Sequence, residues 1–174
     1  MFYYLTLKQW LWGSFFRLSL AVAATLVSVD QLHKWWMLNR LGITESRLIE
    51  VNQFLNLVYV SNKGISFGML QQGEIGQVFL ALLSLIISIA LMTWLARAGE
   101  SYMMALAIGL IVGGAMGNAI DRLHLGGVAD FFDFHAFGYH WPAFNIADMA
   151  IVIGSFFLIY NSITLARPKS NNGE

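Results

Sequence analysis

Four stretches of this chain are each close to the ~20 apolar residues needed to cross the hydrocarbon of a bilayer, and they leave the remainder few ways to fold. The first covers residues 11–29, with Arg17 near one end, where a long side chain can reach the headgroups. The second, 75–96, and the third, 102–120, carry no charge, and the fourth, 149–166, has only Ser155, Asn161, Ser162 and Thr164 as polar groups. Composition agrees: 11% of residues are charged, against roughly 25% in ordinary globular domains. The expected fold is an all-α membrane protein, with four transmembrane helices in a single integral membrane domain spanning residues 1–174. A small β-rich segment, about residues 45–70, is expected between helices 1 and 2.

Lys8, Arg17 and the triplet Ala21-Val22-Ala23 imitate a cleavable signal, but the apolar run continues through Val29, so a retained first span is expected. An even number of spans puts both termini on one side. Basic residues divide evenly between the two sides, and the short basic connection at 97–101 and the basic tail favour cytoplasmic termini. A formal net charge of zero gives no electrostatic footprint for nucleic acid. The absence of cysteine excludes disulfides, thiol nucleophiles and Cys-ligated metals.

Between the first two spans, Asp30 and Lys34 are four apart in the favourable order for a helical ion pair. Residues 50–67 are rich in β-branched and aromatic side chains punctuated by Asn62-Lys63-Gly64, and read as one or two strands and a turn. An open sheet edge cannot sit in lipid, so this piece belongs on the membrane surface. Trp35 and Trp36 suit the interfacial aromatic belt. In the third span Ala105, Gly109, Gly113 and Gly117 recur every four residues, a small face for close helix packing. That face runs into Asn118, Asp121 and Arg122, with Arg122 expected to pair with Asp121 or another nearby carboxylate.

Acids near membrane spans are costly and are functional candidates by default. Asp130 follows Gly126-Gly127, and Asp148 stands at the start of the fourth span, where the helix dipole favours an anion. Each alone has a bland explanation. Together they permit a dyad that shares a proton, because two close carboxylates do not both ionise readily. The ionised one can take a proton from water while the neutral one hydrogen-bonds a peptide carbonyl. Other chemistries fit less well. His33, His124, His135 and His140 match no standard zinc spacing and HExxH is missing. GxSxG is missing as well. An ion pathway would place acids near span centres, and here they cluster at one end. No metal or other cofactor is expected, and Asp133 receives no role.

Five motifs in register, Asp30-x-x-x-Lys34, Asn62-x-Gly64-x-x-Phe67, Gly117-Asn118-x-x-Asp121-Arg122, Gly127-x-x-Asp130-Phe131 and Phe144-Asn145-x-Ala147-Asp148, resemble the lipoprotein signal peptidase (signal peptidase II) family. The resemblance implies an aspartic endopeptidase of the bacterial inner membrane. Such an enzyme removes the signal peptide from diacylglyceryl-modified prolipoproteins, cutting before the lipidated cysteine. It implies Asp130 and Asp148 as the catalytic pair, near the periplasmic leaflet, with Asn62, Gly64, Asn118, Arg122 and Asn145 shaping the site or holding the substrate backbone. Asp30, Lys34 and Asp121 would be supporting residues. Prolipoprotein substrates and membrane lipid are the expected partners, and the chain is expected to act as a monomer. Where the family usually has two small residues after Asn-x-Gly, this chain has Ile65 and Ser66, which bears on substrate fit.

Overall fold

The structure, a computed structural model of the chain, describes residues 14–64, 73–98 and 101–165. Among the described residues, four helices are long and apolar enough to cross a membrane: α1 (Ser14–Asn39), α2 (Glu74–Ala98), α3 (Tyr102–Leu125) and α4 (Ile146–Leu165). Their outer faces are greasy. Ile75, Phe79 and Ile86 of α2 and Val152, Phe156 and Ile159 of α4 are all more than 60% exposed. An apolar area of that extent is incompatible with water and suited to lipid.

The central helix is α3, whose most apolar window is 61% buried against 17–22% for the others. The small face seen in the sequence explains half of this. Gly109 lies against Ser19 and Val22, Gly113 against Ala23 and Leu26, and Gly117 against the Asp30 carboxylate, all on α1. A second small face was not visible as a pattern: Gly114 meets the Ala147 carbonyl and Ile151 on α4, and Gly154 on α4 meets Ala107 and Ile111. A core of Ala23, Leu95, Met104, Ala105, Ile108 and Val112 fills the bundle.

The helices extend beyond the apolar windows, and two of these extensions carry site residues. Helix α1 continues ten residues past Val29, carrying Asp30 and Lys34 inside the helix. Helix α4 begins at Ile146, which puts Asp148 in its first turn rather than ahead of it.

The expectation of four spanning helices with one small β-rich segment holds in part, because the sheet draws on more of the chain than that segment. A four-stranded antiparallel sheet, in the order β1-β2-β3-β4, is built from β1 (Ile49–Asn52), β2 (Leu55–Asn62), β3 (Val128–Ala136) and β4 (Tyr139–His140). Only β1 and β2 come from the segment between α1 and α2; the part of that segment at 65–72, with Ile65, Ser66 and Phe67, lies outside the described residues. The connection between α3 and α4 forms a strand and a hairpin. Helix α3 stops at Gly126, which takes a left-handed φ of 71°, the conformation glycine adopts without a Cβ penalty. Strand β3 then pairs with β2, Asn62 opposite Val128 and Leu55 opposite Phe134. Its partner is more than sixty residues away, so nothing local announces it. Phe131, Ala129, Met37 and Ile43 form a second core that seats the sheet on the end of α1.

Candidate active site

The two aspartates come from different kinds of structure. Asp130 lies on β3 opposite Val60 of β2 and is 1% exposed. Asp148 is the third residue of α4. Helix α4 opens with a reciprocal cap: the Asp148 N–H donates to Asn145 Oδ1 at 2.9 Å, and the Asn145 N–H donates to Asp148 Oδ2 at 3.2 Å. This is the geometry of a capping box, and the spacing Asn145-x-x-Asp148 ahead of an apolar run was a readable signal for it.

That cap leaves the Asn145 amide nitrogen free to act elsewhere. It donates to Asp130 Oδ1 at 2.7 Å and to Asn118 Oδ1 at 3.2 Å. Asn118 Nδ2 in turn donates to Asp148 Oδ1 at 2.8 Å, and Asn62 Nδ2 donates to Asp130 Oδ2 at 3.2 Å. The loop after β2 is held by the same residue, since the Gly64 N–H donates to Asn62 Oδ1 at 3.2 Å. The two carboxylates are therefore joined through asparagine side chains rather than to each other. Burial and the neighbouring Asp148 charge raise the Asp130 carboxyl to a pKa of about 7, against the opposing pull of the Asn62 and Asn145 hydrogen bonds and Lys34. Loss of hydration disfavours the anion more than two amide donors favour it.

Behind the pair lies a buried ion triad. Lys34 Nζ is 2.7 Å from Asp30 Oδ2 and 2.6 Å from Asp121 Oδ2, with all three side chains at most 4% exposed. Each acid has a second task. Asp30 Oδ1 accepts the Ala147 N–H at 3.1 Å, and Asp121 Oδ2 accepts the Ala129 N–H at 3.1 Å. Ala147 precedes Asp148 and Ala129 precedes Asp130, so one ammonium fixes the backbone beside both aspartates. Gln31, which sequence reasoning passed over, completes the cluster by donating to Asp121 Oδ1 at 2.9 Å and to the Gly117 carbonyl at 3.2 Å. A polar residue beside Asp30 was its only signal.

A cavity of 500 Å³ opens in front of this frame, lined by Asn62, Gly64, Asn118, Arg122 and Asp148 on its polar side. Trp141, Phe144, Ile151 and Val152 are among its apolar lining. Asp130 does not line it; the amide of Asn62, which does, covers Asp130 Oδ2. The expected ion pair of Arg122 is not formed among the described residues. Asp121 points around the helix toward Lys34, leaving the Arg122 guanidinium at the cavity with Nη1 3.4 Å from the Asn118 carbonyl and Nε buried without a partner. Asp133 gains a structural explanation: it accepts from Asn56 Nδ2 at 3.2 Å and contacts His140 Nδ1 at 2.9 Å, tying β3 to β2 and β4. The histidines form no metal-binding group among the described residues, with His33 stacked on Phe132 and His135 on His140.

Fold and site together define a polytopic membrane protein with two carboxylates and a ring of amides at one end of its helices, a donor and acceptor set suited to acid–base hydrolysis. Residues 22–164 match the family described as signal peptidase (SPase) II, and the chain belongs to that family and is a peptidase. It is 41% identical over 154 residues to the lipoprotein signal peptidase of Methylocella silvestris, covering 88% of this chain and 90% of the relative. With the Rhodopseudomonas palustris protein of the same name it shares 39% over 152 residues, 84% of this chain and 92% of the relative. A solved structure of a bacterial membrane enzyme superposes with a TM-score of 0.76 at 32% identity, covering 90% of this chain and 94% of that one. A second, also of a bacterial membrane enzyme, gives 0.68 at 34% identity, with 87% and 94% covered. The family resemblance carried by the five motifs is borne out.

Proposed function

We propose that this chain is an aspartic endopeptidase that removes the signal peptide from diacylglyceryl-modified prolipoproteins, cutting before the lipidated cysteine. The observation that carries the mechanism is the Asn145 amide, which caps the helix of Asp148 and holds Asp130 at the same time. Asp130, whose pKa is about 7, holds the pair's proton near neutral pH. Asp148, at the cavity wall beside Arg122, is the base. It takes a proton from water as the water oxygen attacks the scissile carbonyl carbon, while Asp130 gives its proton to the carbonyl oxygen. Collapse of the resulting diol breaks the C–N bond. The nitrogen takes the proton from Asp148, and one diol hydroxyl returns its proton to Asp130, restoring both groups. Asn62 must release Asp130 Oδ2 for this step, and the Arg122 and Asn118 side chains orient the substrate backbone.

In this reading the termini are cytoplasmic, the sheet and the aspartates lie at the periplasmic leaflet of the bacterial inner membrane, and the substrate enters laterally with its acyl chains in lipid. One monomer suffices, since every group named is on one chain. The decisive experiment is cleavage of a lipidated precursor by Asp130→Asn and Asp148→Asn proteins that still insert and fold. Each should be at least about 100-fold slower, the lower end of what a positioned acid or base contributes. Cleavage at the parental rate by either variant ends the two-aspartate assignment.

A further inference from the structure

The β3–β4 hairpin presents an aromatic tip that nothing among the described residues covers. Phe137 is 99% exposed, Tyr139 83% and Trp141 66%. Phe137 and Gly138 occupy the turn with φ of 53° and 80°. A two-residue turn with both φ values positive favours Asn or Asp at its first position, and a bulky side chain there is uncommon. Neither turn geometry nor packing accounts for phenylalanine at this position; contact with an apolar phase outside the chain would.

We infer that this hairpin is a membrane-interface anchor, its aromatic rings seated at the headgroup–acyl boundary beside α4. Three observations favour lipid as the occupant. Trp141 and Pro142 share a cavity wall with Ile151 and Val152 of α4, and Val152 is 68% exposed, so the aromatic patch is continuous with a flank of a helix apolar enough to cross the membrane. Residues 134–147 contain no Asp, Glu, Lys or Arg. Tyr139, Trp141 and the flanking His135 and His140 combine an apolar body with a polar tip, the type of side chain that collects at membrane–water boundaries. Depth is bounded too. Strand β4 is a sheet edge, and unpaired backbone groups keep it out of the hydrocarbon, so only the rings enter. This anchor would hold β3, and Asp130 with it, at a fixed height over the bilayer.

The inference rests on α4 being a membrane span, and one experiment separates the two. The chain has no native cysteine, so nitroxide labels can be placed singly at Phe137→Cys and Phe156→Cys in phosphatidylethanolamine–phosphatidylglycerol vesicles. Collision rates with oxygen and with a water-soluble nickel chelate are then compared with those of spin-labelled lipids. Oxygen-favoured accessibility at 137, matching a lipid labelled at the top of its acyl chain, is the expected result. An aqueous ratio at 137 with a lipid ratio at 156 overturns the anchor alone, whereas aqueous ratios at both overturn the span. Dipolar broadening at 137 with exclusion of both reagents would show a second copy on the patch and also overturn the anchor. The native side chain gives a second measurement. Lipids brominated high on the acyl chain should quench the emission lost in Trp141→Phe more than lipids brominated near the chain end, and equal weak quenching by both counts against the anchor.

Discussion

Asn145 holds Asp130 with the same side chain that starts the helix of Asp148: Nδ2 lies 2.7 Å from Asp130 Oδ1, and Oδ1 accepts the Asp148 N–H at 2.9 Å. An asparagine can do both because its carbonyl and amide are independent acceptor and donor on one rigid plane. The pair is thus positioned by a residue that does not itself titrate.

Replacing that residue should separate stability from catalysis. Asn145→Ala loses a helix cap worth about 1 kcal/mol, a small change in thermal unfolding, yet should lower kcat at least 10-fold with little change in KM. Asn145→Asp keeps a cap but sets a third carboxylate beside Asp130, and should be the less active of the two. If Asn145→Asp cleaves as fast as the parent, the bridging amide is irrelevant to the chemistry.

Activity should fall as pH rises through about 7, because Asp130 then loses the proton it is proposed to donate. The Asn62 hydrogen bond pulls the Asp130 pKa down, so Asn62→Ala should move this alkaline limb upward. A pH–rate profile of kcat/KM on the two proteins reads the shift, and a downward move contradicts the sign.

The same raised pKa has a stability consequence. Between the ordinary carboxyl value of 3.8 and about 7 the folded chain keeps a proton that the unfolded chain releases. Stability therefore declines as pH rises through that window. Asp130→Asn should flatten the decline, which a series of melting curves in detergent from pH 4 to pH 8 would show.

Lys34 neutralises two acids that are both buried. Lys34→Met should cost about 3–5 kcal/mol, the usual penalty for stranding buried charge, and should abolish cleavage by releasing the Ala129 and Ala147 backbones. Adding Asp121→Asn removes one stranded charge and should recover part of the stability. A double mutant no more stable than Lys34→Met would show that the triad is not acting as an electrostatic unit.

Gly114→Ala tests the helix contact that the sequence pattern did not reveal. Its Cβ would run into the Ala147 carbonyl and lie 2.7 Å from Ile151 Cγ1. Backbone cannot step aside as a side chain can, so a loss of about 1–3 kcal/mol is expected from overpacking. Ala147 adjoins Asp148, so activity should fall further than stability. Unchanged melting and turnover would mean that α3 and α4 are not packed this closely.

Much of this protein was legible from local pattern. Lipid-length apolar runs announce helices because a bilayer requires backbone satisfied within each segment. The i, i+4 spacing of Asp30 and Lys34 announced a pair that forms at 2.7 Å. The glycine ladder on α3 announced a close helix contact, and the helix that fills it is α1. What the sequence by itself determined was therefore the set of helices, one small face of α3, and which acids and amides stand near their ends. Only tertiary structure decided that 128–136 is a strand, that Arg122 faces the cavity it shares with Asp148 rather than pairing with Asp121, and that Asp30 and Asp121 each grip a backbone N–H next to an aspartate. These depend on partners between 8 and 117 residues apart, and where a side chain on α3 points depends on which helix or strand packs there. Periodicity fixes a face, but the neighbour that meets it is chosen when the chain folds.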